Sequence, residues 1–122
     1  MLTKDHILKY RIIESIKLLA SEGEQQLSCF PDFVCKGDEI VTSLDSWIFA
    51  YQNPKAGFEY TFNLEEWEMI LDLNKDVCSV PVEELSDDAI CNSKKWRNIR
   101  KEARQLLVAL GVEYTFPDIS SV

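Results

Sequence analysis

Two cysteines and four carboxylates crowd the stretch CFPDFVCKGDEIVTSLDSW at residues 29–47. Thiols and carboxylates together could hold a metal ion, a cysteine pair could exchange electrons, and acids beside aromatic rings could bind a basic protein. Zinc ligands usually come in close pairs, two to four residues apart. The cysteines here are separated by 6, 43 and 13 positions, namely Cys29, Cys35, Cys78 and Cys91. The single histidine, His6, is distant from all of them in sequence, and the spacing predicts that the chain binds no metal.

The same cysteines are poor candidates for redox chemistry. Reactive thiols usually lie in a Cys-x-x-Cys motif or beside basic groups that stabilise the thiolate. Cys35 is followed by Lys36, but Asp38 and Glu39 come soon after it. We therefore expect all four thiols to be free, and at least three of them to be buried as small apolar residues.

The sequence carries no recognisable catalytic pattern. A nucleophile activated by histidine would have to use His6, which is predicted on the surface-facing first turn of a helix. The acidic pairs Asp38/Glu39 and Asp87/Asp88 are sequence neighbours, and adjacent side chains on a helix diverge by about 100°. The four glycines are scattered singly, and neither a calcium-loop spacing nor a glycine-rich phosphate loop occurs. We expect no catalytic residue, no cofactor and no enzymatic activity.

Charge is distributed unevenly along the chain. The formal net charge is −8; residues 22–92 carry 16 acids against three bases, whereas residues 93–122 carry six bases against three acids. An acidic central segment repels nucleic acid phosphates and attracts basic partners, so we expect no nucleic acid partner. The basic stretch KKWRNIRKEAR at residues 94–104 is interpreted as a solvated basic helix face opposite a buried one. The central acids could equally serve solubility and pair with that helix.

The acids of the opening stretch are candidates for a partner-binding surface beside the Pro31 turn. The candidate residues are Asp32, Phe33, Asp38, Glu39 and Asp45. Complementary charge steers association, and an exposed aromatic ring can anchor it. We predict that these residues bind a basic protein. The same composition is also compatible with an ordinary loop followed by a helix start, where the helix dipole favours acids.

The chain is predicted to form one domain spanning residues 1–122. This length is sufficient for a single core without disulfides or metals. No apolar run approaches the roughly 20 residues that a membrane span needs. Charged residues interrupt the N-terminal stretch MLTKDHILKYRIIESIKLL, which therefore lacks the apolar core of a signal peptide. We expect a cytoplasmic protein without membrane contact.

Apolar periodicity predicts helices in the first half of the chain. Leu8, Ile12, Ile16 and Leu19 recur at helical spacing within a helix over residues 5–20, and residues 24–30 could form a short second helix before Pro31. Residues 38–52 are rich in β-formers, but their periodicity favours a helix. That helix would bury Ile40, Leu44, Trp47, Ile48 and Tyr51. It would leave Thr42, Ser43, Asp45 and Ser46 outside.

The second half of the chain has clearer helix boundaries. Asn63 and Glu66 fit a capping box, and Leu64, Trp67, Ile70 and Leu71 supply the apolar stripe of the following helix. A short helix is expected to begin at residues 86–88. The last helix is capped at residues 92–93 and followed by Gly111; it presents Trp96, Ile99, Ala103, Leu106, Leu107 and Leu110 on one face. The predicted fold is an all-α bundle of about five helices.

One short sequence occurs twice, as EYTF at residues 59–62 and again at residues 113–116. Both copies alternate apolar and polar residues, so the two segments could pair as a minimal two-stranded ribbon supported by helices. They could equally run extended without pairing. Four residues are too few to indicate a structural repeat.

The order of these elements resembles a known class of proteins. The motifs FPDFV, DEI and LDSW at residues 30–47, followed by LSDDAICNSKKWRNIRKEARQLLVALG at residues 85–111, resemble small bacterial immunity proteins that accompany polymorphic or contact-dependent toxins. The resemblance implies a non-enzymatic inhibitor whose acidic face binds and blocks a basic toxin, such as a nuclease. The alternative is a general helical scaffold or adaptor that binds some other protein.

Overall fold

Four long helices and two short ones make up the computed structural model, which describes residues 4–51 and 62–118. The helices are α1 (Lys4–Ala20), α2 (Gly23–Ser28), α3 (Lys36–Tyr51), α4 (Leu64–Cys78), α5 (Asp87–Asn92) and α6 (Lys94–Ala109), with a 3₁₀ turn at Val82–Glu84. No strand occurs in the described ranges, and the predicted all-α class is confirmed. Among the described helices, none is long and apolar enough to cross a membrane.

The long helices pack around one core. α1 and α4 each contact both α3 and α6, so α3 and α6 occupy opposite corners of the bundle. The short helices α2 and α5 pack on each other, and α5 also contacts α3 and α6. This arrangement leaves the outer sides of α3 and α6 facing away from each other.

The predicted stripes of α1 and α3 form much of this core. Leu8, Ile12, Ile16 and Leu19 are buried on α1, and Ile40, Leu44 and Ile48 are buried on α3, as predicted. Trp47 is only half-buried. The side chain of Tyr51 lies outside the described residues. Helical periodicity was therefore a better guide than β-propensity for residues 38–51, which lie within α3, and Gln52 lies outside the described residues.

The predicted position of Ser43 on α3 was wrong. It was expected on the solvated side, but it is buried and its hydroxyl lies 2.9 Å from the hydroxyl of Ser15 on α1. The two hydroxyls satisfy each other between the helices, which removes the cost of burying either one alone.

The capping box at the start of α4 is confirmed, but one stripe residue is not. The Glu66 amide donates to the Asn63 side chain over 2.8 Å, and the Asn63 amide donates to the Glu66 carboxylate over 2.9 Å. Leu64, predicted on the apolar stripe, is 72% exposed because the buried part of α4 begins only at Ile70, more than one turn later.

The last helix follows its sequence pattern closely. Ser93 caps α6 by accepting a hydrogen bond from the Trp96 amide over 3.2 Å, and Trp96 is fully buried. Ile99, Ala103, Leu106 and Leu107 are also buried, and Leu110 is half-buried. Gly111 follows with φ 70°, the left-handed conformation that glycine adopts without steric cost.

The bases of α6 were expected to form a solvated face, but Arg100 is buried. Its side chain is 5% exposed. The guanidinium donates to the Ser21 carbonyl over 2.7 Å, to Gln26 Oε1 over 3.4 Å and to the Ile90 carbonyl over 3.3 Å. Because these acceptors replace water, the buried charge is stabilised where α6 meets α5 and the α1–α2 turn.

The C-terminal segment runs along α1 and forms no strand in the described part of the chain. Lys17 donates to Thr115 over 2.8 Å, and the hydroxyls of Ser21 and Tyr114 lie 2.8 Å apart. The backbone amide of Asp118 donates to Glu14 over 2.8 Å. Residues 59–61 of the suggested ribbon lie outside the described residues, and the 113–116 segment is held by helix α1 instead.

The cysteines are unpaired, but their predicted burial is wrong. Cys29 is buried, Cys91 is half-buried, and Cys35 and Cys78 are exposed. Cys35 lies in the loop before α3, and Cys78 is the last residue of α4. Burial raises the pKa of the Cys29 thiol.

Candidate functional site

The exposed residues of α3 form one continuous face. We call this surface the α3 outer face; its members are Asp38, Glu39, Thr42, Asp45, Ser46 and Phe49, and all six are exposed. Steps of three and four residues keep these positions on one side of a helix with 3.6 residues per turn. The buried residues Ile40, Leu44 and Ile48 occupy the opposite side. Three of the five predicted site residues therefore share this face.

Asp38 and Glu39 lie in the first turn of α3, as expected for helix-start acids. The unpaired amides and the dipole at a helix N-terminus favour negative charge there. The Thr42 hydroxyl donates to the Asp38 carbonyl over 2.8 Å, one turn along the same helix. Both carboxylates are exposed at a helix end where negative charge is favoured.

Asp45 is the acid that the tertiary structure holds in place. One of its carboxylate oxygens accepts a hydrogen bond from the Asn74 side chain of α4 over 2.9 Å. The Cys78 thiol donates a hydrogen bond to the side-chain oxygen of Asn74, Oδ1, over 3.7 Å. Although Cys78 is exposed as a residue, partial burial of its sulfur raises the pKa of the thiol, and the negative charge of Asp45 raises it further. Asp45 is therefore both exposed and oriented.

The loop before α3 carries the other two predicted residues. Phe33 is 89% exposed, and the Val34 amide closes a turn by donating to the Pro31 carbonyl over 3.3 Å. Asp32 pairs with Lys36, the first residue of α3, over 3.0 Å. This turn and ion pair connect the loop to the start of the helix that carries the outer face.

Phe49 is a site residue that sequence reasoning missed. It is 82% exposed and lies four residues after Asp45, at the C-terminal end of the outer face. The signal was present, because residue 49 does not fall on the apolar stripe of α3 when the stripe is drawn at helical spacing. From Asp38 to Phe49 the face extends about 16 Å at 1.5 Å per residue.

A shallow depression adjoins the outer face on the side of Glu39. It has a volume of about 140 Å³ and is lined by Phe30, Glu39, Thr42, Ser43, Ser46 and Trp47. The Trp47 ring also packs against Arg11 of α1, whose guanidinium carbon lies 4.5 Å from the ring centroid. The depression is large enough for one side chain and has a carboxylate at its edge.

The chemistry available on this surface is that of binding. The outer face offers carboxylates, hydroxyls and an aromatic ring, and carries no base and no histidine. Within the described ranges, no group of three or more histidine, cysteine or acidic side chains could hold a metal ion.

Comparison with known proteins found no relative of this chain. No family model, curated protein or solved structure was found to match the chain. A function must therefore be inferred from the charge, exposure and packing of the described residues.

Proposed function

We propose that this chain is a non-enzymatic binding protein that recognises a basic protein through the α3 outer face and Phe33. The observation that carries the proposal is the placement of three carboxylates between two almost fully exposed phenylalanines, Phe33 before the helix and Phe49 near its end. Exposed aromatic rings are the side chains most often found as binding anchors. The acids select a partner of opposite charge.

The two kinds of residue would contribute differently to binding. A surface ion pair contributes only about 0–1 kcal/mol, so the carboxylates would chiefly accelerate association. Burial of a phenylalanine ring contributes about 1.5–3 kcal/mol, so Phe33 and Phe49 would chiefly slow dissociation. The depression beside Glu39 could receive one lysine or arginine side chain of the partner.

The resemblance to immunity proteins refines the proposal. Two of the motifs that carry it, at residues 30–34 and 38–40, include Phe33, Asp38 and Glu39, and LDSW at residues 44–47 includes Asp45. The motif residues therefore overlap the proposed binding surface. On this basis the partner is a cognate bacterial toxin, and the chain neutralises it in the cytoplasm of the producing cell.

The test is to purify the protein encoded next to this gene and to measure its binding by stopped-flow fluorescence. Asp38→Asn combined with Asp45→Asn should slow association several-fold at low salt, because both substitutions remove charge. The matched control is Glu68→Gln with Glu83→Gln, two exposed acids outside the outer face. Phe33→Ala and Phe49→Ala should each accelerate dissociation about tenfold or more, whereas Val82→Ala, also at an exposed position, should not.

Three outcomes distinguish a toxin inhibitor from a general scaffold protein. Binding that responds to the outer-face variants, with loss of growth protection in cells that express the neighbouring protein, would support a toxin inhibitor. A response to the control variants alone would indicate a scaffold that uses another face. Absence of binding by any neighbouring gene product would contradict the toxin assignment.

A further inference from the structure

A basic groove lies along α6, on a chain whose net charge is −8. The cavity has a volume of about 490 Å³, within the range typical of small-molecule sites. Four of its lining residues are cations: Arg97, Arg100, Lys101 and Arg104. Glu22 stands at the edge formed by the α1–α2 turn.

The four cations are close neighbours on one helix. Arg97 lies three residues before Arg100 and four before Lys101, and Arg104 lies four residues after Arg100 and three after Lys101. Like charges at these spacings repel each other on a helix surface. Burial lowers the pKa of Arg100; Glu22 raises it, and the positive charges of Arg104 and Arg97 lower it. An anion in the groove would relieve this repulsion.

Two guanidinium groups of the groove, the buried one of Arg100 and the half-exposed one of Arg104, are positioned by hydrogen bonds. The Arg104 guanidinium donates to the Ala20 carbonyl over 2.9 Å and to the Glu22 carboxylate over 2.6 Å. Arg100 is fixed by three carbonyl-type acceptors, as described above. Arg97 and Lys101 are exposed, and neither forms a salt bridge with any residue that the structure describes. The groove thus combines two positioned guanidinium groups with two cations that are available to a ligand.

We propose that this groove binds the diphosphate group of a small molecule. Glu22 neutralises one of the four cations, and the remaining three positive charges match the charge of a diphosphate. Arg97 has an exposed guanidinium group that can bind phosphate oxygens through two parallel hydrogen bonds. Arg100 and Arg104, whose Nε and Nη2 atoms already donate within the protein, contribute positive charge. Val108, 79% exposed, provides an apolar edge for the rest of the molecule. Since α3 and α6 lie at opposite corners, the site is separate from the α3 outer face.

The test uses the full chain, isothermal titration calorimetry and three probes: inorganic pyrophosphate, ADP and adenosine. Pyrophosphate should bind saturably with a Kd below about 100 µM at low salt, and more weakly as salt increases. Arg97→Gln and Lys101→Gln should each weaken it about tenfold, the loss expected for one charge-assisted hydrogen bond. Lys75→Gln, which removes an exposed lysine of α4 outside the groove, should change the Kd less than twofold.

The probes also identify the source of the diphosphate. Tighter binding of ADP than of pyrophosphate would indicate a nucleotide; equal binding would show that the diphosphate group alone is recognised. Equal weakening by Lys75→Gln and Arg97→Gln would show diffuse attraction and overturn the site. The proposal also fails if pyrophosphate binding does not saturate or if adenosine binds as tightly as ADP.

Discussion

The side chain of Asn74 donates a hydrogen bond to Asp45 over 2.9 Å and so joins α4 to the outer face of α3. Asn74 is almost buried, so its amide depends on this acceptor. Asp45→Ala should cost about 1–3 kcal/mol of unfolding free energy, because a buried donor loses its partner. Asp45→Asn keeps an acceptor oxygen and should cost less than about 0.5 kcal/mol. Urea denaturation of both variants measures the difference; equal losses would show that the bond contributes nothing.

Leu106 occupies the centre of the buried side of α6 and is 4% exposed. Leu106→Ala should lower the unfolding free energy by about 2–5 kcal/mol through lost burial and the resulting cavity. Val108→Ala, on the solvent side of the same helix, should change it by less than about 0.5 kcal/mol. Chemical denaturation provides both values. A loss below about 0.5 kcal/mol for Leu106→Ala would contradict the packing of α6 against the bundle.

The four thiols should be free and differ in reactivity. Titration with a thiol reagent, without reductant, should report four thiols in the unfolded protein. In the folded protein, exposed Cys35 should react before Cys29, which is buried and whose thiol pKa is raised by burial. Cys78 is also exposed, but burial and the charge of Asp45 raise the pKa of its thiol, so it should react more slowly than Cys35. Elemental analysis should find no stoichiometric zinc. A disulfide, one equivalent of zinc, or fast reaction of Cys29 in a Cys35→Ser, Cys78→Ser variant would refute this prediction.

Glu102 should make the protein less stable as the solution becomes less acidic. Its pKa is raised to about 7, chiefly by burial and further by the hydrogen bond with Asp76 and the charges of Asp76 and Asp72, whereas the charge of Lys95 lowers it. The unfolded carboxyl group titrates near 4.5. Between those two values the native state holds a proton that the unfolded state has lost, so this group's contribution to stability decreases as pH rises from about 4.5 to about 7.

Glu102→Gln removes that ionisable group, so the unfolding free energy of the variant should decrease less than that of the parent as pH rises from about 4.5 to about 7. Above pH 7 the variant should be more stable than the parent, by about 1 kcal/mol after allowance for solvent screening. Urea denaturation at four pH values from 5 to 8 measures the effect, with Glu113→Gln at an exposed position as the control. An unchanged pH dependence in Glu102→Gln would assign the titration to another group.

Much of the fold could be predicted because its determinants act over three or four residues. The Asn63–Glu66 capping box and the Ser93 cap satisfy backbone amides within a single turn, so the residue types indicate where α4 and α6 begin. The apolar stripe of α6 repeats at helical spacing, and its central residues are buried as expected. Once α3 is recognised as a helix, the shared side of Asp38, Asp45 and Phe49 also follows from geometry alone.

The remaining features depend on contacts between distant residues, which leave no periodic signal in the sequence. Ser43 is buried because Ser15, 28 residues away, accepts or donates its hydrogen bond. Arg100 resembles its basic neighbours in sequence, yet it is buried where the Ser21 carbonyl, 79 residues away, accepts a hydrogen bond from its guanidinium group. The sequence by itself determined a basic helix and an acidic one. Only the packing of α5 and the α1–α2 turn against α6 decided which cations of the groove also hold the fold together, Arg100 and Arg104, and which stay exposed without a salt bridge among the described residues, Arg97 and Lys101.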